Sequence, residues 1–224
     1  MSNDDKRMAA EAAVAEAAEG MLIGLGTGST AAHAIKALGK RVGDGLVIET
    51  VATSRASAAL ARSLGIAVRD FADVAAVDLT IDGADEIDDR LFAIKGAGGA
   101  MLREKIVAAA SRRMLVVADG SKRVARIGAA KVPVEVLPFA RAFAFYRLTA
   151  LGAAVALREG YLTDNGNLVA DCAFHEMDEP RGLAAAIAAI PGVVGHGLFL
   201  DEVDAAYIAA DGIVARLERG GSKS

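Results

Sequence analysis

Val77-Asp78-Leu79-Thr80-Ile81-Asp82-Gly83-Ala84-Asp85-Glu86-Ile87-Asp88 decides how the rest of this 224-residue chain reads. Its first five residues are mostly β-branched or leucine and stop abruptly at Asp82-Gly83, which predicts a short buried strand. Open parallel sheets bind ligands in the crevice outside the C-terminal ends of their strands, so this strand would deliver Asp82 and Asp85 there. Lys95-Gly96-Ala97-Gly98-Gly99 comes next, followed by Ala100 to Arg112, a run of good helix formers. Free N–H groups at such a glycine-led helix start can hold a phosphate or an oxyanion. Glu104 falls in the first turn or so of that helix, and its side chain leans back toward the strand end carrying the aspartates. Two carboxylates, a lysine, a glycine turn and a helical glutamate are the equipment for moving a proton next to a carbonyl.

Two further loops have a similar build. Met21 to Leu25 is an apolar strand, Gly24-Leu25-Gly26-Thr27-Gly28-Ser29-Thr30 follows, and Ala31 to Leu38 is helical in character. Strand, glycine turn and helix form a generic anion cradle, with the Thr27, Ser29 and Thr30 hydroxyls adding donors. Ser29 stands where the third glycine of a dinucleotide loop would fall, and no Gly-Lys-Ser or Gly-Lys-Thr follows, so a phosphorylated metabolite is the natural ligand. Arg113 to Ala118 reads as another buried strand, and Asp119-Gly120-Ser121-Lys122 follows it. Lys122 thus stands at a strand end where a cation meets a phosphate or a developing enediolate.

Taken singly, each of these residues has a plainer reading. Glu86, Asp88 and Asp89 are expected to be solvated turn residues, Glu104 alone an exposed helix residue, and Lys95 alone a surface lysine. Their convergence on adjoining strand ends and helix starts favours the functional reading. Lys6 and Arg7, at the start of an acidic, alanine-rich helix, read as ordinary surface charges as readily as cations near a bound phosphate, and stand outside the expected site.

Up to about residue 127, strands at 21–25, 46–51, 77–81 and 113–118 alternate with helices at 5–19, 29–39, 55–64 and 99–111, the pattern of a parallel sheet wrapped by helices. From about 131 the order changes. Strand 131–136, helix 139–151, strand 153–158, a turn at Asp164-Asn165-Gly166, strand 167–172, helix 181–189 and strand 193–199 spell βαββαβ. The expected fold is α/β: a parallel Rossmann-like sheet flanked by helices, with a smaller ferredoxin-like α+β domain inserted near the C-terminus. Residues 1–127 plus 203–224 would form the α/β catalytic domain and 128–202 the inserted one.

Five motifs in this order and spacing resemble the A-type ribose-5-phosphate isomerase family: Gly-Thr-Gly-Ser-Thr at 26–30, Asp-Gly-Ala-Asp-Glu-Ile at 82–87, Lys-Gly-Ala-Gly at 95–98, Arg-Glu-Lys at 103–105 and Asp-Gly-Ser-Lys at 119–122. The likeness extends through Val132 to Val136, Thr163 to Asn167 and Ile190 to Val194. It implies an aldose–ketose isomerase that interconverts D-ribose 5-phosphate and D-ribulose 5-phosphate through an enediol, within the pentose phosphate pathway and without metal or other cofactor. By resemblance Glu104 is the base that shuttles the proton, and Asp82 and Asp85 assist ring opening and proton relay at O1, O2 or O4. Lys95 and Lys122, with the amides of Gly96, Ala97 and Gly98, hold charged oxygens, and Thr27, Gly28, Ser29, Thr30, Gly83 and Ala84 complete the substrate contacts. The resemblance also implies a homodimer, consistent with the general prevalence of twofold assemblies. Two departures stand out: Ala97 replaces the middle of three glycines, and Gly120 replaces an alanine. A sugar-phosphate sensor and an acyl or CoA transferase are the competing readings; the first has no need of Glu104 and both aspartates, and the second fits the lysine-bearing loops less well.

Composition is in keeping with a metabolic enzyme. The chain is 54% hydrophobic with net charge -4, and its basic residues are dispersed, so no nucleic-acid footprint is present. The acidic opening Met1-Ser2-Asn3-Asp4-Asp5 is unlike a signal peptide, and no apolar stretch is long enough for a membrane helix, which makes the cytoplasm the expected location. Cys172 is the single cysteine and reads as a small buried strand residue. His33, His175 and His196 are too scattered for a metal pattern.

Overall fold

The computed structural model describes residues 3–175 and 177–220; Met1, Ser2 and residues 221–224, the extremities of the expected first domain, lie outside them. Helix α1 (Asn3–Val14), strand β1 (Leu22–Leu25), helix α2 (Ser29–Gly43), strand β2 (Glu49–Ala52) and helix α3 (Arg55–Ser63) open the fold. Strands β3 (Leu79–Gly83), β4 (Glu86–Ile87) and β5 (Ala93–Ile94), helix α4 (Met101–Ala109) and strand β6 (Met114–Asp119) follow. Next come β7 (Val132–Val136), α5 (Arg141–Ala150), β8 (Ala153–Leu157), β9 (Leu168–Phe174), α6 (Pro180–Ala188) and β10 (Val193–His196). The short β11 (Leu198–Phe199) and the hairpin of β12 (Ala205–Ala210) and β13 (Ile213–Glu218) end the chain.

The central sheet has the order β13-β12-β6-β3-β1-β2, parallel throughout except for the antiparallel edge strand β13. Ile23, Leu25, Ile81 and Leu115 pack on Ala9 and Ala13 of α1 and Ile35 and Leu38 of α2. The opposite side includes Val107 of α4, packed with Val51 and Val77. Close packing demands glycine at two points along β1 and its exit. A Cβ on Gly24 would lie 2.1 Å from Thr80 Oγ1, and one on Gly26 would lie 2.0 Å from Asp82 Oδ1, so the first loop passes directly over Asp82.

The second sheet, β10-β7-β9-β8, is antiparallel and has the order 4-1-3-2 of a βαββαβ unit. Val132, Val134, Val136, Ala170 and Cys172 bury against Leu148 of α5 and Ile187 of α6. Cys172 is fully buried there, and burial pushes its thiol up to about 12.

The expected single strand at 193–199 is two strands. It breaks at Gly197, where a Cβ would meet the Lys95 carbonyl oxygen at 2.1 Å. Beyond the break β11 leaves the second sheet and pairs with β5 in a small antiparallel sheet, β11-β5-β4, that the sequence reading did not anticipate. Lys95 N–H donates to Gly197 O at 2.9 Å, and Gly197 N–H donates to Pro133 O at 2.8 Å. The small sheet therefore ties the backbone of Lys95 to the second sheet. Among the described residues, no helix is long and apolar enough to cross a membrane.

Candidate active site

Three charged side chains from three elements meet inside the fold. Asp82 ends the buried run of β3, Lys95 directly follows β5, and Glu104 sits in the first turn of α4; their exposures are 0%, 2% and 3%. Lys95 Nζ lies 2.9 Å from Asp82 Oδ2 and 3.2 Å from Glu104 Oε2, and it also donates to the Gly83 carbonyl. The ammonium is thus enclosed by two carboxylates and a carbonyl. Asp82 Oδ1 accepts from the amides of Thr27 at 2.9 Å and Gly83 at 2.7 Å. Asp82 is thus neutralised by one cation and two N–H groups, whereas among the described residues Glu104 is paired with Lys95 alone.

One cation between two carboxylates leaves a net negative charge in a dry site, and that imbalance falls on Glu104. Burial, reinforced by the charge of Asp82, pushes its carboxyl up to about 8 against the opposing pull of Lys95. Burial disfavours the Lys95 charge, but Asp82 and Glu104 outweigh it and hold its pKa above the ordinary lysine value. These two shifts pull the shared proton in opposite directions. The arrangement we favour is a charged Lys95 with Glu104 the more easily protonated carboxylate, because Lys95 has two carboxylate partners and Glu104 has one cation that it must share.

A cleft of about 220 Å3 opens above this triad, lined by Thr27, Gly28, Ser29 and Thr30, by Gly83, Ala84 and Asp85, by Lys95, Gly96, Ala97, Gly98 and Glu104, and by Lys122. Every expected substrate contact is there except Asp82, which lies buried beneath the wall and reaches the cleft through Lys95. The cleft also contains Lys6, which the sequence reading left out: it projects from α1 and donates to Ser29 Oγ at 3.0 Å. Arg7 turns away to Glu11 and Asp4. Burial opposes the charge of Asp119, at the end of β6, but Ser121, Lys6 and Lys122 together hold its pKa below the ordinary value. Lys6 and Lys122 therefore gather on the side of the cleft nearest Asp119.

Residues 49–212 match the family model described as ribose 5-phosphate isomerase A (phosphoriboisomerase A). The chain is 54% identical to the ribose-5-phosphate isomerase A of Sphingopyxis alaskensis over 220 residues, 96% of each chain. The chain belongs to the ribose 5-phosphate isomerase A family. Its backbone matches the crystal structure of ribose 5 phosphate isomerase A from Neisseria gonorrhoeae with TM-score 0.94 at 37% identity, covering 99% of both chains. A D-ribose-5-phosphate isomerase solved in complex with phospho-erythronic acid matches with TM-score 0.94 at 35% identity, covering 98% of this chain and 100% of that one.

Within this ribose 5-phosphate isomerase A framework, the loop after Lys95 is held from both sides. Asp85 Oδ2 accepts from Ala97 N–H at 2.9 Å, Tyr161 OH donates to Gly98 O at 2.9 Å, and Arg158, paired with Asp171, donates to Ala97 O at 3.0 Å. The Gly98 amide has no acceptor among the described residues and borders the cleft. Left-handed φ falls at Gly96 (104°) and Gly99 (76°), not at position 97, so the alanine there is compatible with the loop. Gly120 has a packing reason instead: a Cβ would meet Ala210 Cβ at 2.8 Å.

Two acids expected on a solvated turn are structural. Glu86 is buried and accepts from the amides of Gly128 and Ala130 at 2.7 and 2.6 Å; Asp88 is buried and accepts from Arg90 and Phe92 N–H at 3.0 and 3.1 Å. Asp89 alone of the three is exposed, paired with Arg123 at 2.8 Å. The Thr163–Asn167 turn is organised by buried Glu135, whose Oε1 accepts from Thr163, Asn165 and Asn167 at 2.8, 3.0 and 2.8 Å. Asn165 Oδ1 in turn accepts from Arg103 Nε at 2.8 Å, which steadies α4 one residue before Glu104. Tyr161, Arg158 and Glu135 were not singled out from sequence, since each lies far along the chain from the residues it serves. Among the described residues, no group of three or more His, Cys, Asp or Glu side chains is placed to hold a metal ion.

Proposed function

We propose that this chain, a ribose-5-phosphate isomerase by family, interconverts ribose 5-phosphate and ribulose 5-phosphate in the 220 Å3 cleft with Glu104 as the proton carrier. The observation that carries the assignment is Glu104 itself: a buried carboxyl bordering the cleft, raised to about 8 and held by Lys95 through Oε2, so that Oε1 is the oxygen offered to a ligand. Once the sugar ring has opened, Glu104 takes the proton from C2 and returns it to C1, while O1 and O2 exchange their proton. A base with a pKa near the working pH is typically worth about 10²- to 10⁴-fold. The remaining rate enhancement falls to fixed dipoles and charges at the developing enediolate.

The free Gly98 amide and the Lys95 charge are suited to that oxyanion. With its ammonium enclosed by Asp82, Glu104 and the Gly83 carbonyl, Lys95 acts by its charge and by fixing Glu104, and Asp82 acts by fixing Lys95. Asp85 holds the loop through Ala97 and keeps a second oxygen for ring opening and relay. Lys122, Lys6 and the start of α2, where the first N–H groups lack intrahelical acceptors, suit the phosphate. A relative's complex with phospho-erythronic acid, a phosphorylated sugar acid, supports the substrate class.

We assign residues 1–127 with 203–224 to the catalytic unit and 128–202 to a supporting unit that braces the Lys95 loop through Tyr161 and Arg158. A homodimer is also proposed: Phe139 is fully exposed, Phe143 and Tyr146 are 47% and 71% exposed, and their spacing places them along one side of the α5 region. A light-scattering mass of one chain at assay concentrations would rule that out. For the reaction, ketose formation from ribose 5-phosphate is the test. Glu104→Gln should lower kcat at least about 10²-fold with substrate affinity within a few-fold, and a near-normal kcat would remove Glu104 as the base.

A further inference from the structure

Beyond the wall that carries Arg103 lies a second, larger groove of about 490 Å3, none of whose lining residues borders the sugar cleft. We propose that this groove binds a nucleoside phosphate, its phosphates on an arginine cluster and its base against Phe71 and Ile106. In a chain of net charge -4, four arginines, Arg55, Arg62, Arg69 and Arg103, converge here with one lining carboxylate, Asp70. Asp70 Oδ1 is taken up by the Ala72 N–H at 3.0 Å.

Three of the four cations are loosely committed. Arg62 makes no ion pair or side-chain hydrogen bond among the described residues, while Arg55, with its side chain 79% exposed, donates to the Asp164 carbonyl at 3.4 Å and stands 4.0 Å from the Asp164 carboxylate. Arg103 is the most committed, donating to Asn165 Oδ1 at 2.8 Å and the Asp164 carbonyl at 3.2 Å beside its 3.8 Å approach to the Asp164 carboxylate, and Arg69 has a solvent-exposed pairing with Glu49 at 3.1 Å. Guanidinium forks match phosphate oxygens two at a time and keep their charge at any physiological pH.

The floor calls for something besides phosphate. Phe71 packs one part of its ring on Val51, Val77 and Val107 and leaves the rest to the groove, and Ile106 is 45% exposed beside it. A flat ring covering both would bury apolar surface that otherwise stays wet. The volume lies in the ordinary range for small-ligand sites, about 300–1,000 Å3, and far exceeds what inorganic phosphate fills. A phosphate-bearing ligand with a planar heterocycle satisfies the arginines and the floor together.

The test is a calorimetric titration of the full chain with ADP, adenosine and pyrophosphate, keeping ribose 5-phosphate saturating throughout so that the sugar cleft is occupied. ADP is expected to bind, with adenosine and pyrophosphate each at least about tenfold weaker. Arg62→Glu with Arg69→Glu should weaken ADP at least about tenfold while leaving turnover of ribose 5-phosphate within about twofold, because neither side chain borders the cleft. Circular dichroism confirms that the double variant is folded. Absence of ADP binding up to about 5 mM, or unchanged ADP affinity in the folded double variant, would overturn the proposal. Pyrophosphate binding as tightly as ADP would overturn the assignment of a ring to Phe71.

Discussion

Lys95→Met keeps the length of the side chain and removes the one cation that two buried carboxylates share. Asp82 would retain the amides of Thr27 and Gly83, but Glu104 would lose its paired cation. Breaking a buried ion pair from one side costs about 3–5 kcal/mol, because the remaining charge is left uncompensated. That cost should depend on pH, and its sign is fixed by Glu104. With Lys95 present the carboxyl is already raised to about 8; removing the cation takes away its largest lowering influence and raises it further. Glu104 in the folded variant would then hold a proton that the unfolded chain releases near 4.5, so the variant loses stability as pH rises through that window. Below about 8 the wild type shares this loss; above it, the variant continues to lose stability while wild-type Glu104 is already ionised. Urea unfolding followed by circular dichroism should therefore show a destabilisation that approaches about 3–5 kcal/mol near pH 9 and is smaller near pH 6. Adding Glu104→Gln should remove most of the pH dependence. A cost under about 1 kcal/mol, or one equal at both pH values, would refute the account of a shared, over-subscribed lysine.

The acid limb of kcat/KM should fall near pH 8, since Glu104 acts as the carboxylate and is raised to about that value; a limb in the ordinary carboxylate range, near pH 4.5, would contradict it. Lys6→Ala should raise KM for ribose 5-phosphate about tenfold, whereas Arg7→Ala, whose charge is spent on Glu11 and Asp4, should leave it within about twofold. Equal effects would dissolve the distinction drawn between them. Ala97→Gly should change kcat by less than about threefold because position 97 has an ordinary φ, while Gly99→Ala, at φ 76° and with its Cβ meeting the Tyr161 hydroxyl at 2.1 Å, should impair it strongly. Unphosphorylated ribose should be a very poor substrate in kcat/KM, since phosphate binding supports orientation at C1 and C2; parity with ribose 5-phosphate would mean no phosphate site exists.

The chemistry-bearing loops were legible because each is local: a run such as Leu79-Thr80-Ile81 before Asp82-Gly83 encodes both a buried strand and its end. The βαββαβ order was legible for the same reason, from period and turn chemistry. What escaped the reading was non-local. β4 and β5 are two residues each, too short to carry a period, and their small sheet is completed by β11, which turns away at Gly197 to pair with β5. Glu86 and Asp88 look like turn acids until the amides of Gly128, Ala130 and Phe92 arrive to occupy them. Lys6 has no local mark separating it from Arg7; the packing of α1 decides which of them reaches Ser29. The sequence also placed Asp82 beside the substrate, whereas its depth under Gly26 is set by a close approach that only the folded backbone reveals.

The account rests on Glu104 carrying a proton between C2 and C1, and movement of an isotope label reports on that step directly. Ribose 5-phosphate deuterated at C2 should give ribulose 5-phosphate whose label is partitioned between C1 and solvent, and Glu104→Gln should lose movement of the label in parallel with turnover while still binding the sugar phosphate. A Glu104→Gln variant that moves the C2 label at the wild-type rate would contradict the assignment.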